Sequence, residues 1–201
     1  MNCEYGPNYS HLKESLEDWK HLTWRAKWAS SVGIEVVAPL RLRPGEKVLD
    51  VGCGIAQTIG VLRRLGIKAY GVDFNLSSLE NRIAWCPKGS VIVTDCLKLP
   101  FSNDFFDAVI SKDLFEHQPT LGNAELLLKE CERVLKKGKK MVHRVTTTEM
   151  QPWIDLDATH YLKRSDDWWE IFFKNFWWER VRTPFWSPFG KEGYFLLRKN
   201  G

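Results

Sequence analysis

The stretch Lys47-Val48-Leu49-Asp50-Val51-Gly52-Cys53-Gly54-Ile55-Ala56 carries the decisive pattern. Its first half is a short apolar run, which reads as a strand buried on both faces. Arg43-Pro44-Gly45 makes the turn before it. Gly52 and Gly54 let the backbone pass close to a ligand. The helix expected from Ala56 to Leu65, closed by Gly66, offers its free N–H groups at the same place. A strand, a glycine loop and a helix in that order open a parallel sheet.

The same alternation continues downstream. Ala69-Tyr70-Gly71-Val72-Asp73 reads as the next strand, followed by a helix capped at Asn75 or Ser77 and reaching about Ile83. Val91-Ile92-Val93 and Phe106-Asp107-Ala108-Val109-Ile110-Ser111 are the third and fourth strands. A helix is expected from Leu121 to Leu135, with Leu126, Leu127, Cys131 and Val134 on one face and Lys136-Lys137-Gly138 as its terminator. Met141 to Thr147 is the fifth strand. The tail then changes character: a helix from Asp166 to Phe173 leads into Trp178–Thr183, the turn Ser187-Pro188-Phe189-Gly190, and Tyr194–Arg198. Two strand-like runs with no helix between them pair antiparallel. Upstream, Leu12, Leu16, Trp19, Trp24 and Trp28 recur at helical spacing behind Ser10 as an N-cap. The order predicts an α/β protein with a mostly parallel sheet, helices on both faces and a terminal hairpin.

Composition fits a single domain of 201 residues. With 44% hydrophobic and 27% charged residues, global disorder is excluded. The net charge of +4 neither requires nor rules out a nucleic-acid partner. Five cysteines, Cys3, Cys53, Cys86, Cys96 and Cys131, make an odd number without Cys-x-x-Cys spacing, so a reducing compartment is expected rather than a disulfide framework. No run is long and apolar enough to span a bilayer, and the expectation is a soluble, cytoplasmic protein with no membrane partner.

Two details narrow the ligand. A dinucleotide fingerprint wants a glycine three residues after Gly54, where Gln57 stands. Asp50, at the mouth of the loop, repels a diphosphate but suits a cation. Asp73 ends the second strand, where a ribose diol is held in such sheets. Asp95 ends the third and can accept from an exocyclic amine. Three acids on three successive strand ends suit a cationic adenosyl compound.

The segment from Val48 to Gly54 resembles the signature of class I S-adenosylmethionine-dependent methyltransferases of the small, type 11-like kind. Gly71-Val72-Asp73, the Asp95–Phe101 segment with Asp104–Asp107, Leu114-Phe115-Glu116-His117 and Glu130–Lys136 resemble further family segments, in order, across Gly45 to Thr147. The resemblance implies a Rossmann-like, doubly wound, seven-stranded sheet and S-adenosylmethionine as cofactor, with S-adenosylhomocysteine as product. It implies that Asp50, Gly52, Cys53 and Gly54 hold the methionine moiety. It places Asp73 on the ribose, Phe74 beside the adenine, Asp95 and the Cys96 backbone on the adenine, and Ser111 or Lys112 at the methionine end. Ala56 departs from the family at a position where many members have glycine, a change that costs little unless a positive φ is required. On this reading residues 1–40 form a helical cap or lid, 45–147 the cofactor-binding core, and 148–201 the acceptor-side loop, helix and hairpin of one domain.

Methyl transfer aligns a nucleophile with a sulfonium carbon and removes a proton where the nucleophile carries one. The candidates lie after strands four and five: His117, with Glu116 and Asp113 nearby, and His160, with Asp155 and Asp157. Asp157-Ala158-Thr159-His160 resembles an Asp-Pro-Thr-His segment of some small methyltransferases of sugar or glycan pathways. His117 and His160 are the expected catalytic pair. Each also has a plainer reading, His117 as a packing group near the cofactor and His160 as an ordinary loop histidine. His143, within strand five, is expected to be structural, the Lys136–Lys140 run a solvated turn, and Cys53 and Cys96 unreactive. Asp155, Asp157 and His160 match no firm metal-ligand spacing, so no metal is expected. Trp153, Trp168, Trp169, Trp177, Trp178 and Trp186 fill a core or line an acceptor pocket. Ser111-Lys112-Asp113-Leu114 is unlike the Pro-Pro segment of base-modifying enzymes, and Cys86-Pro87 reverses the order needed for C5 chemistry, which argues against nucleic acid. The expected function is methyl transfer to O or N of a small acceptor, sugar-containing or aromatic. The alternatives are an RNA or protein methyltransferase, or a non-catalytic S-adenosylmethionine-binding module.

Overall fold

The computed structural model describes residues 29, 31–75, 86–87, 89–151, 153–174, 179–180 and 193–199. Its strands are β1 (Lys47–Val51), β2 (Lys68–Asp73), β3 (Val91–Val93), β4 (Phe106–Lys112), β5 (Leu135–Arg144), β6 (Glu179–Arg180) and β7 (Tyr194–Arg198). They form one seven-stranded sheet in the order β3-β2-β1-β4-β5-β7-β6. The first five strands are parallel, and β7 runs antiparallel to both β5 and β6. The expected doubly wound sheet with an antiparallel end is therefore present. The order reverses between β1 and β4, and the carboxyl ends of those strands form the crevice in which such sheets bind ligands.

Period-two alternation sends successive side chains to opposite faces and builds two cores. On one face Leu49, Val51, Val109 and Met141 meet α3 (Leu121–Val134) and α5 (Asp166–Lys174), where Trp169, Phe173 and Phe115 are fully buried. On the other, Val48, Ala108 and Ile110 meet Ile59 and Leu62 of α2 (Gln57–Arg64), with Val32 and Val36 behind them. Val36 belongs to a π-helical segment, Gly33–Val37, that runs into α1 (Ala38–Leu40). A short helix α4 (Trp153–Leu156) lies between β5 and α5.

Four expectations need correction. The buried face of α3 carries Ala124, Leu127, Leu128, Cys131 and Val134, while Leu126 is 50% exposed. Leu128 takes the place expected of Leu126 because it stands one turn from Ala124 and Cys131. Lys136-Lys137-Gly138 does not terminate that helix. Leu135 is already extended, and Gly138, at φ 70°, sits in a bulge of β5 that separates the pairs Phe106–Leu135 and Ala108–Lys140. The lysines of this run are not simply solvated: Lys136 pairs with Asp107 at 2.8 Å and Lys139 with Glu46 at 2.9 Å. The strand also ends at Arg144 rather than Thr147. The expected helices at 10–30 and 75–83 and the turn at 187–190 lie outside the described residues, apart from Ala29 and Asn75. Cys3, Trp177, Trp178 and Trp186 lie outside them as well.

Gly71 fixes how closely α2 approaches the sheet. A Cβ there would stand 2.3 Å from Ile59 Cδ1 and 2.6 Å from Cys53 Sγ. Gly71→Ala is expected to lower stability by about 1–3 kcal/mol through overpacking, read as a reduced urea midpoint.

Candidate active site

The loop after β1 is stitched to β2: the Gly52 and Cys53 N–H groups donate to Val72 O at 2.9 and 3.0 Å. Gly52 has φ 73°, and a Cβ on it would lie 3.0 Å from Leu114 Cδ1, so this position needs glycine twice over. Gly54, at φ 51°, has open space where a Cβ would stand. Ala56 takes φ 63° ahead of α2. A left-handed conformation is therefore required there, and the alanine carries a strain of about 1–2 kcal/mol that glycine would not.

Asp73 closes the loop from the other side. Its Oδ2 accepts from Gly54 N–H and its Oδ1 from Asn75 N–H, both at 2.9 Å. Asp50, one strand away, is buried, and no described residue hydrogen-bonds its carboxylate. Burial raises the Asp50 carboxyl from its usual 3.8 to about 7; Asp73 adds to the rise and Lys112 opposes it. Lys112 shares the sheet face of Asp50, and its Nζ donates to Glu35 Oε2 at 2.8 Å and Ser31 Oγ at 3.4 Å. Burial pushes the Glu35 carboxyl up, but Lys112 and Ser31 outweigh it and hold the group below its ordinary range. Cys53 is buried and its thiol is pushed well up, chiefly by burial, as an unreactive cysteine should be.

The remaining expected cofactor residues are more dispersed. Phe74 is 44% exposed beside Asp73. Asp95 is exposed and its Oδ1 accepts from Leu97 N–H at 2.8 Å, shaping its own turn. Cys96 packs half-buried against the core. Thr94 N–H donates to Asp73 O at 2.9 Å, which ties the ends of β2 and β3 together. Ser111 does not face the loop as expected. Its Oγ lies 2.8 Å from Nδ1 of buried His143, on the opposite sheet face from Asp50 and Lys112. Strand parity allows only one of Ser111 and Lys112 on the Asp50 face, and it is Lys112. His143 stacks on Phe173, and burial lowers its imidazole to about 3, so it is a neutral core group.

The turn after β4 brings the second cluster beside the glycine loop. Leu114 lies against Gly52, and its carbonyl accepts from His117 N–H at 3.3 Å. Asp113, at φ 52°, is paired with Arg144 and accepts from Thr146 Oγ1 at 3.1 Å. Glu116 is fully buried. Its Oε1 accepts from Thr146 N–H at 2.6 Å, and burial with nearby Asp113 raises its carboxyl to about 8. His117 and His160 meet with ring centroids 4.6 Å apart, both buried. Burial and the neighbouring His160 lower the His117 imidazole. Asp157 accepts from Thr159 N–H and Oγ1 at 2.8 and 2.6 Å. Asp155 stands apart, exposed and paired with Lys163 at 2.9 Å, so Asp155, Asp157 and His160 do not form one cluster. The sequence reading missed the Glu35–Lys112 pair and the join of Glu116 to His160, which only long-range contacts create.

This edge fits a cationic adenosyl ligand. Asp50 offers a buried carboxylate with no hydrogen-bond donor among the described residues, Gly54 leaves the space a side chain would take, and Asp73 supplies acceptors at the next strand end. The crossover at β1 and β4 together with this loop defines a nucleoside-binding α/β domain. Residues 49–143 match the family model described as a methyltransferase domain. The chain is 36% identical over 110 residues to cycloartenol-C-24-methyltransferase of Arabidopsis thaliana, covering 50% of this chain and 31% of that one. It is 29% identical over 150 residues to demethylmenaquinone methyltransferase of Staphylococcus epidermidis, covering 72% of this chain and 58% of that one. An S-adenosylmethionine-dependent methyltransferase of Archaeoglobus fulgidus shares the fold, with a TM-score of 0.69 at 17% identity over 96% of this chain and 100% of that one. Residues 49–143 are thereby a methyltransferase domain, and the chain spans 31% and 58% of the two curated relatives. Among the described residues no helix is long and apolar enough to cross a membrane.

Proposed function

We propose that the protein transfers the methyl group of S-adenosylmethionine to an oxygen or nitrogen of a small-molecule acceptor, sugar-containing or aromatic. One observation carries the reading: the cluster of Asp50, Gly52, Gly54 and Asp73 adjoins, through Leu114, the buried pair His117 and His160. Residues 45–147 would hold the cofactor and 148–201 would face the acceptor. Asp50, Cys53 and Lys112 would line its methionine end, Asp73 its ribose, and Phe74, Asp95 and Cys96 its adenine. His117 and His160 would act on the acceptor, where nitrogen lone pairs are what an O–H or N–H group needs as the methyl arrives.

The relatives named for a sterol and for demethylmenaquinone support a small acceptor and add apolar rings to the classes worth testing. Incubation with S-adenosylmethionine and a panel of sugar, phenol, quinol and sterol acceptors, with methylated product read by mass spectrometry, tests the proposal. Product from one class is expected. Cofactor binding with no product from any class would favour a non-catalytic binding module. Calorimetry is expected to show heat with S-adenosylhomocysteine and none with NAD. Asp73→Ala should weaken the former by about 1–3 kcal/mol, the cost of unpaired buried polar groups. Unchanged affinity would remove Asp73 from the ribose role.

A further inference from the structure

We propose that Glu116, His117 and His160 form a site for one divalent transition-metal cation, with Zn²⁺ the first candidate. Its place in the reaction rests on the acceptor-side reading above, while the site itself rests on geometry. One ring nitrogen of each histidine and one carboxylate oxygen of Glu116 lie within 4.8 Å of one another, and all three residues are buried. The turn after β4 brings the first two and the loop after α4 brings the third.

The hydrogen bonds around the trio set the tautomers of its two histidines. His160 Nδ1 lies 2.9 Å from Ile154 O. A carbonyl only accepts, so in the neutral ring Nδ1 carries the proton and Nε2 the lone pair. Thr159 Oγ1 gives its proton to Asp157 Oδ1 at 2.6 Å, so it accepts from His117 Nδ1–H at 2.9 Å, and that ring too has its lone pair on Nε2. Glu116 Oε1 is taken by Thr146 N–H, while Oε2 is buried with no partner among the described residues. Glu116 Oε2, buried without a partner among the described residues and close to a nitrogen of each imidazole, suits a cation that displaces the carboxyl proton and is shared with the two rings. Metal-binding histidines characteristically donate their second N–H to a carbonyl or an oxygen backed by a carboxylate, as both do here.

Two imidazoles and a carboxylate are a donor set for Zn²⁺ or Fe²⁺ with positions left open. Donors about 2.1 Å from a tetrahedral ion stand about 3.4 Å apart, so the trio closes by roughly an ångström on binding. An ion held there supplies Lewis-acid polarisation of an acceptor oxygen or nitrogen. With the ion bound, the two imidazoles would act on the acceptor through it rather than as free bases.

The test uses the full chain, stripped with EDTA and titrated calorimetrically with ZnCl₂, and separately with Co²⁺ read by its visible d–d bands. One equivalent per chain is expected, with tetrahedral Co²⁺ bands and no thiolate charge-transfer band, which sets the site apart from the cysteines. Glu116→Gln keeps an acceptor for Thr146 N–H and the side-chain shape. It and His160→Ala should each weaken Zn²⁺ by about 10–100-fold, with circular-dichroism melts confirming that both fold. No Zn²⁺ binding by the parent, or unchanged affinity in both variants, overturns the proposal. S-adenosylhomocysteine titrated into the same samples separates the two readings. Its binding without Zn²⁺ sinks the cation site alone, and Zn²⁺ binding without it sinks the site's place in methyl transfer.

Discussion

Asp50→Asn is expected to stabilise the ligand-free protein by about 2–4 kcal/mol at pH 8 while weakening S-adenosylmethionine by about 10–100-fold. Both effects come from one buried carboxylate that no hydrogen bond from a described residue compensates. Its carboxyl is raised from 3.8 to about 7 by burial, so between those values the folded protein holds a proton that the unfolded chain has lost. Stability then falls as pH rises through that window, and the full cost is present above about pH 7. Asparagine carries no charge and escapes that cost. Below about pH 4 both states of the parent are protonated, and the two proteins should converge. The cofactor reverses the preference, because its positive charge adds to the partial compensation that Lys112 gives Asp50. Affinity of the parent should therefore rise with pH through about 7, and that of the variant should not. Urea midpoints and calorimetry at several pH values check both halves. A variant that is no more stable at pH 8 than at pH 4, relative to parent, would show that Asp50 is not held uncompensated.

The loop proposed to hold the cofactor was legible as a loop because its logic is local. Asp50, Gly52 and Gly54 lie on one strand and its loop, and Asp73 is reached by counting to the next strand end. What sequence could not supply was parity and distance. Ser111 and Lys112 are neighbours, so the end of β4 was readable, but which of them turns toward Asp50 depends on the register with β1. Glu35 became visible only through its contact with Lys112, 77 residues away. The segment from Gly33 to Leu40 falls within the cap expected to be helical, but no helical spacing was read in it because it is rich in β-branched residues; burial of Val32 and Val36 overrides their weak propensity. The bulge at Gly138 imitated a helix stop, since cations followed by glycine suit both. The glycine that many relatives carry at Ala56 was the one hint of its positive φ, which the backbone of the loop imposes.

His160→Ala is expected to lower turnover by about 10²–10⁴-fold while leaving cofactor affinity unchanged. The separation follows from the layout. The side proposed to hold the cofactor is built from β1, β2 and Lys112, whereas His160 lies on the loop after α4, bonded to Ile154 O and packed against His117. Removing its ring takes away one of the two histidines proposed to act on the acceptor and leaves His117, with its own bond to Thr159, in place. His117→Ala should show a comparable loss, and it keeps the backbone N–H that donates to Leu114 O beside Gly52. Single-turnover rates with saturating cofactor, once an acceptor class has given product, make the comparison free of product release. If both variants keep the full parental rate, the histidine pair has no part in the chemistry. Alignment of the acceptor by the fold, or a carboxylate such as Asp157, would then have to account for the reaction.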